Sequence, residues 1–174
     1  MNPLLLLLIP FAGKSQKKMS YLAQKIRIFR TYFCTSKKAI RITDTKRIMG
    51  TKTNIMIIDD SYTNRVLLKA VLDDLEIDVI EVHSGMKALR LLKDYTPHMI
   101  LLDMCMPQMN GLDFLQELKK LDKKIPVIVI SVLDDQTYIN QALQNGANEY
   151  LLKPLDSNKL LSAISKHAEV ELPN

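Results

Sequence analysis

Charged and hydroxyl side chains follow four apolar segments of the chain, each at the point where the segment ends. Asp59 and Asp60 come directly after NIMII, Asp103 after HMILL and Lys153 after EYLL, while Ser131 ends VIVIS. A carboxylate at the edge of a buried segment is costly unless a cation pairs with it. The sequence therefore indicates a cation site, or covalent chemistry, close to these acids.

The three carboxylates suggest which chemistry to expect. If the segments end side by side, Asp59, Asp60 and Asp103 repel one another and need a counter-ion. Oxygen ligands without histidine or cysteine favour a hard cation such as Mg²⁺, which takes one or two carboxylates plus water and phosphate. A lysine and a hydroxyl beside such a metal suit the stabilisation of a phosphoryl group on Asp103, which would act as the nucleophile.

Whether these residues meet depends on the segments that carry them. The apolar patterns predict strands at residues 54–58, 78–82, 98–102, 127–131 and 149–152, and helices at 63–75, 85–94, 112–121, 134–145 and 157–170. Strands that are apolar throughout and alternate with helices are typical of a parallel sheet covered on both faces. The sequence therefore predicts an α/β fold, a flavodoxin-like doubly wound five-stranded parallel sheet with five helices. In such sheets ligands bind outside the carboxyl ends of the strands.

Local signals support the helices. Ser84 is placed to cap the second helix, and Gly146 to end the fourth. In the first helix, the stripe predicted to face the sheet is Val66, Leu67, Ala70, Val71 and Leu75.

Charge divides the chain into two parts. Residues 1–52 hold twelve lysines and arginines and one acid, a net charge of +11, while residues 53–174 carry a net −6, which together give the +5 of the whole chain. We interpret residues 1–52 as a basic leader that is unstructured or a mis-assigned start, because Met49 lies just before the first strand. Residues 53–170 are then the working domain, and 171–174 a tail.

The leader contains two apolar features. Its uninterrupted apolar run, residues 4–9, is too short to span a membrane. A basic amphipathic helix at 17–34 offers a membrane contact as the lesser alternative. The two cysteines, Cys34 and Cys105, lie in different surroundings and form no metal-ligand cluster, which fits a reducing compartment.

Residues 54–168 resemble the receiver domain of bacterial response regulators, of the stand-alone chemotaxis type. The motifs that carry the resemblance are the acidic pair DD, LLDMCMPQMNG, VISV and GANEYLLKP. The resemblance implies that Asp103 is the phosphoacceptor and that Mg²⁺, or alternatively Mn²⁺, is held by Asp59, Asp60, Asp103 and the backbone carbonyl of Cys105. It implies that Ser131 and Tyr150 are the switch residues. Lys153 matches the family's lysine, before a cis-type bond to Pro154.

Two further residues qualify the resemblance. The family commonly has a small residue after the switch hydroxyl, whereas this chain has Val132, whose branched side chain would narrow access to the phosphoryl group. We expect Cys105 to be a partly buried spectator, since apolar or acidic neighbours would raise its pKa.

The resemblance also implies a function. We expect a cytoplasmic phosphoacceptor of a two-component system, phosphorylated by a histidine kinase or histidine phosphotransfer protein. Phosphorylation would switch a surface formed by the fourth helix, fifth strand and fifth helix, which would bind a downstream protein or a second copy of the chain. No direct DNA binding is expected, and no enzymatic activity beyond the domain's own phosphorylation and dephosphorylation.

Three alternatives remain. A haloacid-dehalogenase-type aspartyl phosphatase would need Asp-x-Asp after its first strand, but here the sequence is Asp59-Asp60-Ser61. An FMN carrier would need a phosphate-binding loop at a point where two acids would repel the phosphate. A pseudo-receiver would bind partners without phosphorylation, although its acidic residues are intact.

Overall fold

A computed structural model describes residues 53–73, 75 and 77–167 of the 174. The basic leader, with its predicted amphipathic helix at 17–34, and the tail at 171–174 lie outside the described residues. Within them, no helix is both long and apolar enough to cross a membrane.

Strands and helices alternate through the described region. The strands are β1 Thr53–Ile58, β2 Ile77–Val82, β3 Met99–Asp103, β4 Val127–Ser131 and β5 Glu149–Leu152. The helices are α1 Tyr62–Leu72, α2 Gly85–Asp94, α3 Gly111–Lys119, α4 Gln136–Gln144 and α5 Ser157–His167. All strand pairs are parallel, in the order β2-β1-β3-β4-β5. This is the flavodoxin-like order that the sequence predicted.

The sheet is buried on both faces. Met56 and Ile58 pack in one apolar cluster with α2, α3 and α4, whereas Ile55 and Ile57 are equally buried but lie outside that cluster. Because side chains alternate along a strand, the second pair faces the opposite layer, where α1 and α5 bury their own apolar side chains. Burial on both faces explains why the central strands β1, β3 and β4 are largely apolar, whereas the edge strand β2 carries Glu81.

The stripe predicted for α1 was only partly correct: Val71 is buried and Val66, Leu67 and Leu75 are half-buried. The buried residues of this helix are Leu68, Val71 and Leu72, while Ala70 is exposed. The two stripes share Val71 and differ by a small rotation about the helix axis. A run as apolar as VLLKAVL fits several faces, so the packing of the helix against the sheet decides the choice.

The predicted caps are confirmed. The Ser84 hydroxyl accepts a hydrogen bond from the Lys87 amide at 3.3 Å. Asn110 and Asp113 form a reciprocal capping box at the start of α3. Gly146 has φ +100° after α4, a conformation that glycine adopts without strain. These turns fix where the helices begin and end, and so where the neighbouring strand ends lie.

Candidate functional site

The three acids meet at the carboxyl edge of the sheet. Oxygens of Asp59, Asp60 and Asp103 lie within 4.8 Å of one another. Asp59 and Asp103 are buried, at 1% and 5% exposed, whereas Asp60 is exposed. The neighbouring positions of β1 and β3 in the sheet bring them together, although the acids are far apart in sequence.

Lys153 supplies the cation that the buried acids need. Its Nζ lies 2.6 Å from Asp103 Oδ1 and 3.2 Å from Asp59 Oδ2. The Lys153 amide donates to the Ser131 carbonyl at 2.7 Å, and the Lys153–Pro154 peptide bond is cis. The β4–β5 pairing therefore carries the lysine to the acids.

The pKa values at this edge reflect the competition between burial and pairing. Burial raises the pKa of Asp103 above its ordinary value, although the hydrogen bond and charge of Lys153 oppose the shift. The pKa of Lys153 is also raised: burial lowers it, but the carboxylates of Asp103 and Asp59 together outweigh that effect. One ammonium shared by two buried carboxylates leaves the cluster short of positive charge.

The loop after β3 wraps closely around Asp103. The Cys105 amide donates to Asp103 Oδ2 at 2.9 Å, and the Gly111 amide donates to the Met104 carbonyl at 3.0 Å. A Cβ on Gly111 would lie 2.9 Å from Met104 Cα and 3.0 Å from the Asp103 carbonyl oxygen, so only glycine allows this close approach. The expectation that Cys105 is partly buried was wrong: it is exposed, because the loop turns its side chain outward.

Helix α1 contributes two residues that the sequence reasoning missed. Asn64 Nδ2 donates to both carboxylate oxygens of Asp59, at 3.2 and 2.9 Å. Arg65 Nη1 donates to the backbone carbonyls of Asp59 and Asp60, at 2.8 and 3.2 Å. Both lie on the first turns of the helix that follows the acids. The signal available in the sequence was the presence of an asparagine and an arginine within six residues of the acidic pair, where their side chains can donate hydrogen bonds to it.

Ser131 and Tyr150 share a partner at the end of β4. The Ser131 hydroxyl, fully buried, accepts from the Leu133 amide at 3.0 Å, and the Tyr150 hydroxyl donates to the Leu133 carbonyl at 2.8 Å. Burial raises the pKa of Tyr150, which stays a neutral donor. Val132, between Ser131 and Leu133, is 63% exposed. The backbone of Leu133 is thus hydrogen-bonded by Ser131 at its amide and by Tyr150 at its carbonyl.

The donor set fits a hard divalent cation. It consists of the oxygens of three carboxylates, without a thiol or imidazole among them. Within the described part of the chain, no cation pairs with the Asp60 carboxylate. Among the described residues, the Asp60 carboxylate is thus unpaired, beside two acids that already share one lysine.

Comparison with known proteins assigns the family. The response regulator receiver domain matches residues 55–165, nearly the whole described region. The chain therefore belongs to this family, the phosphoacceptor domains of two-component systems.

Individual relatives agree with the assignment. The chain is 31% identical to the chemotaxis protein CheY of Bacillus subtilis, over 64% of this chain and 94% of that one. It is 30% identical to sporulation initiation phosphotransferase F of the same organism, over 65% and 91%. The CheX–CheY–BeF3–Mg²⁺ complex of Borrelia burgdorferi contains a chain that is 28% identical, with a TM-score of 0.65 and coverage of 71% and 93%.

Proposed function

We propose that Asp103 is the phosphoacceptor of this receiver domain and that its phosphorylation depends on Mg²⁺. The observation that carries the proposal is the charge arrangement around Asp103: three carboxylates lie within 4.8 Å of one another, and two of them, Asp59 and Asp103, share one lysine. Such a cluster favours the arrival of positive charge, and the lysine is already in place for a phosphoryl oxygen. We propose a histidine kinase or histidine phosphotransfer protein as the donor.

The phosphoryl transfer is a nucleophilic substitution at phosphorus. An Asp103 carboxylate oxygen attacks, the bond from phosphorus to the donor's imidazole nitrogen breaks, and an acyl phosphate forms. The imidazole keeps the electron pair and takes up a proton. Lys153 Nζ, 2.6 Å from Asp103 Oδ1, then has the phosphoryl oxygens as partners for its charge.

The proposed metal ligands are the carboxylates of Asp59, Asp60 and Asp103 and the backbone carbonyl of Cys105. Mg²⁺ would neutralise charge that develops on the phosphoryl oxygens, and Mn²⁺ could replace it because both prefer oxygen ligands. The CheX–CheY–BeF3–Mg²⁺ complex contains Mg²⁺ together with a relative of this chain, which supports the proposal of a metal by analogy. Asn64 orients Asp59 through two hydrogen bonds, and the Cys105 amide orients Asp103.

The proposed switch is a population shift at the end of β4. A phosphoryl oxygen on Asp103 would accept a hydrogen bond from the Ser131 hydroxyl and draw that hydroxyl away from the Leu133 amide, from which it now accepts. Because Tyr150 holds the carbonyl of the same Leu133, movement of this segment changes the position of the Tyr150 ring. Ser131 therefore reports the phosphoryl group and does not attack it.

The proposed output is binding of a protein partner at the surface formed by α4, β5 and α5. Tyr138 and Leu143 on α4 and Leu152 on β5 are large apolar side chains exposed on these elements. A downstream protein is the proposed occupant, and a phosphorylation-dependent dimer is the alternative. The Borrelia CheY was solved with CheX, which shows that a relative binds another protein.

Two further proposals follow from the same role. Residues 53–170 act as the receiver domain, with no catalysis beyond their own phosphorylation and dephosphorylation. The exposed free thiol of Cys105 supports a reducing compartment, so we place the protein in the cytoplasm.

Intact mass spectrometry tests the proposal directly. The full chain, incubated with acetyl phosphate and Mg²⁺, should gain one phosphate, and hydroxylamine should remove it because an acyl phosphate is labile. Omission of Mg²⁺ should prevent the gain. Asp103→Asn should abolish it, because an amide is neither a competent nucleophile nor a good metal ligand.

Two controls make the test specific. Asp113→Asn changes an acid of the α3 capping box and should leave phosphorylation intact, since it lies outside the cluster. Ser131→Ala should be phosphorylated yet show a blunted response around Tyr150. Phosphate found on Ser131 with Asp103 unmodified would overturn the roles assigned here, and no phosphate in any condition would favour a pseudo-receiver.

A further inference from the structure

Arg65 touches the acid pair from the backbone side. Its Nη1 donates to the carbonyls of Asp59 and Asp60, the two residues that carry the metal-facing carboxylates. The two carbonyls belong to successive residues, so one nitrogen that bonds both fixes the turn between them. This turn directs the Asp59 side chain into the protein and leaves Asp60 exposed, yet keeps both within 4.8 Å of Asp103.

A carboxylate on β2 lies beside the same guanidinium. Glu81 Oε2 is 3.6 Å from Arg65 Nε, which is buried and has no hydrogen-bond partner. A separation of 3.6 Å is too long for a hydrogen bond, so Glu81 attracts Arg65 without fixing its orientation. The bonds to the two carbonyls, at 2.8 and 3.2 Å, therefore decide where the guanidinium lies.

Lys69, a second cation that contacts Glu81, can be compared with Arg65. It lies one helical turn after Arg65, and its Nζ is 3.3 Å from Glu81 Oε1. Its side chain is 48% exposed against 13% for Arg65, and among its described contacts it bonds only Glu81. The two cations share a partner, and only Arg65 reaches the acid pair.

We infer that Arg65 is a positioning residue for the metal site: it fixes the backbone turn that brings Asp59 and Asp60 together with Asp103. The inference rests on the proposed function, since it concerns the same Mg²⁺. Lys153 binds carboxylate oxygens and so competes with a metal for them, whereas Arg65 binds carbonyls and leaves the carboxylates free. Its charge also offsets part of the repulsion among the acids without occupying a ligand.

Isothermal titration calorimetry of the full chain with Mg²⁺ measures the Mg²⁺ affinity and so tests the inference. Arg65→Met removes both carbonyl bonds and should weaken Mg²⁺ binding about tenfold, the scale expected when a residue that orients metal ligands is lost. Lys69→Met should bind Mg²⁺ like the wild type. Arg65→Lys, which keeps a cation able to donate to a carbonyl, should recover part of the affinity.

Two readouts separate positioning from a general loss of stability. Acetyl phosphate phosphorylation of Arg65→Met should need more Mg²⁺ for half-maximal rate, with a nearly normal rate at saturating Mg²⁺. In the metal-free protein, the Ser61 amide, which donates to Asp59 Oδ1 at 2.8 Å, should exchange its hydrogen faster in Arg65→Met than in Lys69→Met.

Each outcome decides between two statements. Unchanged Mg²⁺ affinity and Ser61 exchange in Arg65→Met would overturn the inference and leave the proposed function standing. A wild-type chain that binds no Mg²⁺ would contradict the proposed function itself, and Ser61 exchange would still test the turn. If Arg65→Met does not fold, Arg65→Lys decides: weaker Mg²⁺ binding at normal thermal stability supports positioning, and wild-type binding contradicts it.

Discussion

The two ends of the sheet carry side chains of opposite charge. At the carboxyl end, Asp59 and Asp103 share Lys153, and the third carboxylate, Asp60, has no described cation partner. At the opposite end, Lys119, Lys123 and Lys124 line an open cavity of about 300 Å³ that no acidic side chain lines. The acids form a cluster that favours a further cation.

Two of the three lysines at the opposite end, Lys119 and Lys123, bond the carbonyls of neighbouring helices. Lys119 Nζ donates to the carbonyl of Gln144 in the last turn of α4 at 2.9 Å. Lys123 Nζ donates to the carbonyls of Lys93 and Tyr95 near the end of α2, at 3.3 and 3.2 Å. Cations at helix C-termini satisfy free carbonyls and interact favourably with the helix dipole. A cluster of side chains with the same charge therefore indicates a binding site for an ion only where those side chains lack partners within the protein.

Lys153→Met should give the largest change in stability. It leaves Asp59 and Asp103 buried without their cation, so the free energy of unfolding of the metal-free protein should fall by about 2 kcal/mol at pH 7. Urea unfolding measures the loss, and Mg²⁺ should recover part of it. Lys159→Met, on the exposed face of α5, is the control and should change nothing. A wild-type unfolding curve for Lys153→Met would mean that the acids do not depend on this lysine.

Lys119→Met should have a smaller effect at the other end. Loss of the hydrogen bond to Gln144 should lower the free energy of unfolding by about 1 kcal/mol, the scale of a charged hydrogen bond at an exposed helix end. Mg²⁺ affinity should be unchanged in calorimetry. Lys120→Met, which loses only a surface ion pair with Glu117, is the matched control and should cost less. Weakened Mg²⁺ binding in Lys119→Met would show that the two ends are coupled.

Asp60→Asn should change stability in the opposite direction. Removal of one charge reduces repulsion among the acids, so the metal-free protein should gain about 0.5 kcal/mol, a small effect because Asp60 is exposed and solvent screens it. Mg²⁺ binding should weaken at the same time. Titration calorimetry and urea unfolding on the same sample measure both. Unchanged Mg²⁺ affinity would place Asp60 outside the metal site.

Asp135 tests whether every acid near the carboxyl edge behaves alike. It caps α4, and hydrogen bonds from Thr137 lower its pKa below the ordinary value. Because the folded pKa lies below the unfolded one, its contribution to stability is present above the unfolded pKa and is lost as the pH falls through the folded pKa. Asp135→Asn should remove this small acid dependence. Melting temperatures between pH 2 and about 5 compare the two proteins, and identical pH profiles would mean that the lowered pKa of Asp135 does not contribute to stability.

Local pattern predicted the strand ends correctly but not the detail around them. Asp59, Asp103 and Lys153 could be placed at one edge because parallel strands bring their carboxyl ends together. The exposure of Cys105 could not be predicted, since its apolar neighbours in sequence suggested burial. The loop turns because the Gly111 backbone packs closely against Met104. This contact between two backbone segments leaves no pattern in the sequence around Cys105.

The sequence by itself determined the order of elements, the doubly wound sheet and the residues that end its strands. These follow from hydrophobic periods and caps, which are local properties of the chain. Only the tertiary structure decided which face of α1 is buried, that Arg65 bonds the carbonyls of the acid pair, and that Leu133 joins Ser131 to Tyr150. Such contacts depend on the rotation of a helix about its axis and on the distances between segments. The hydrophobic period of the sequence does not determine either of these.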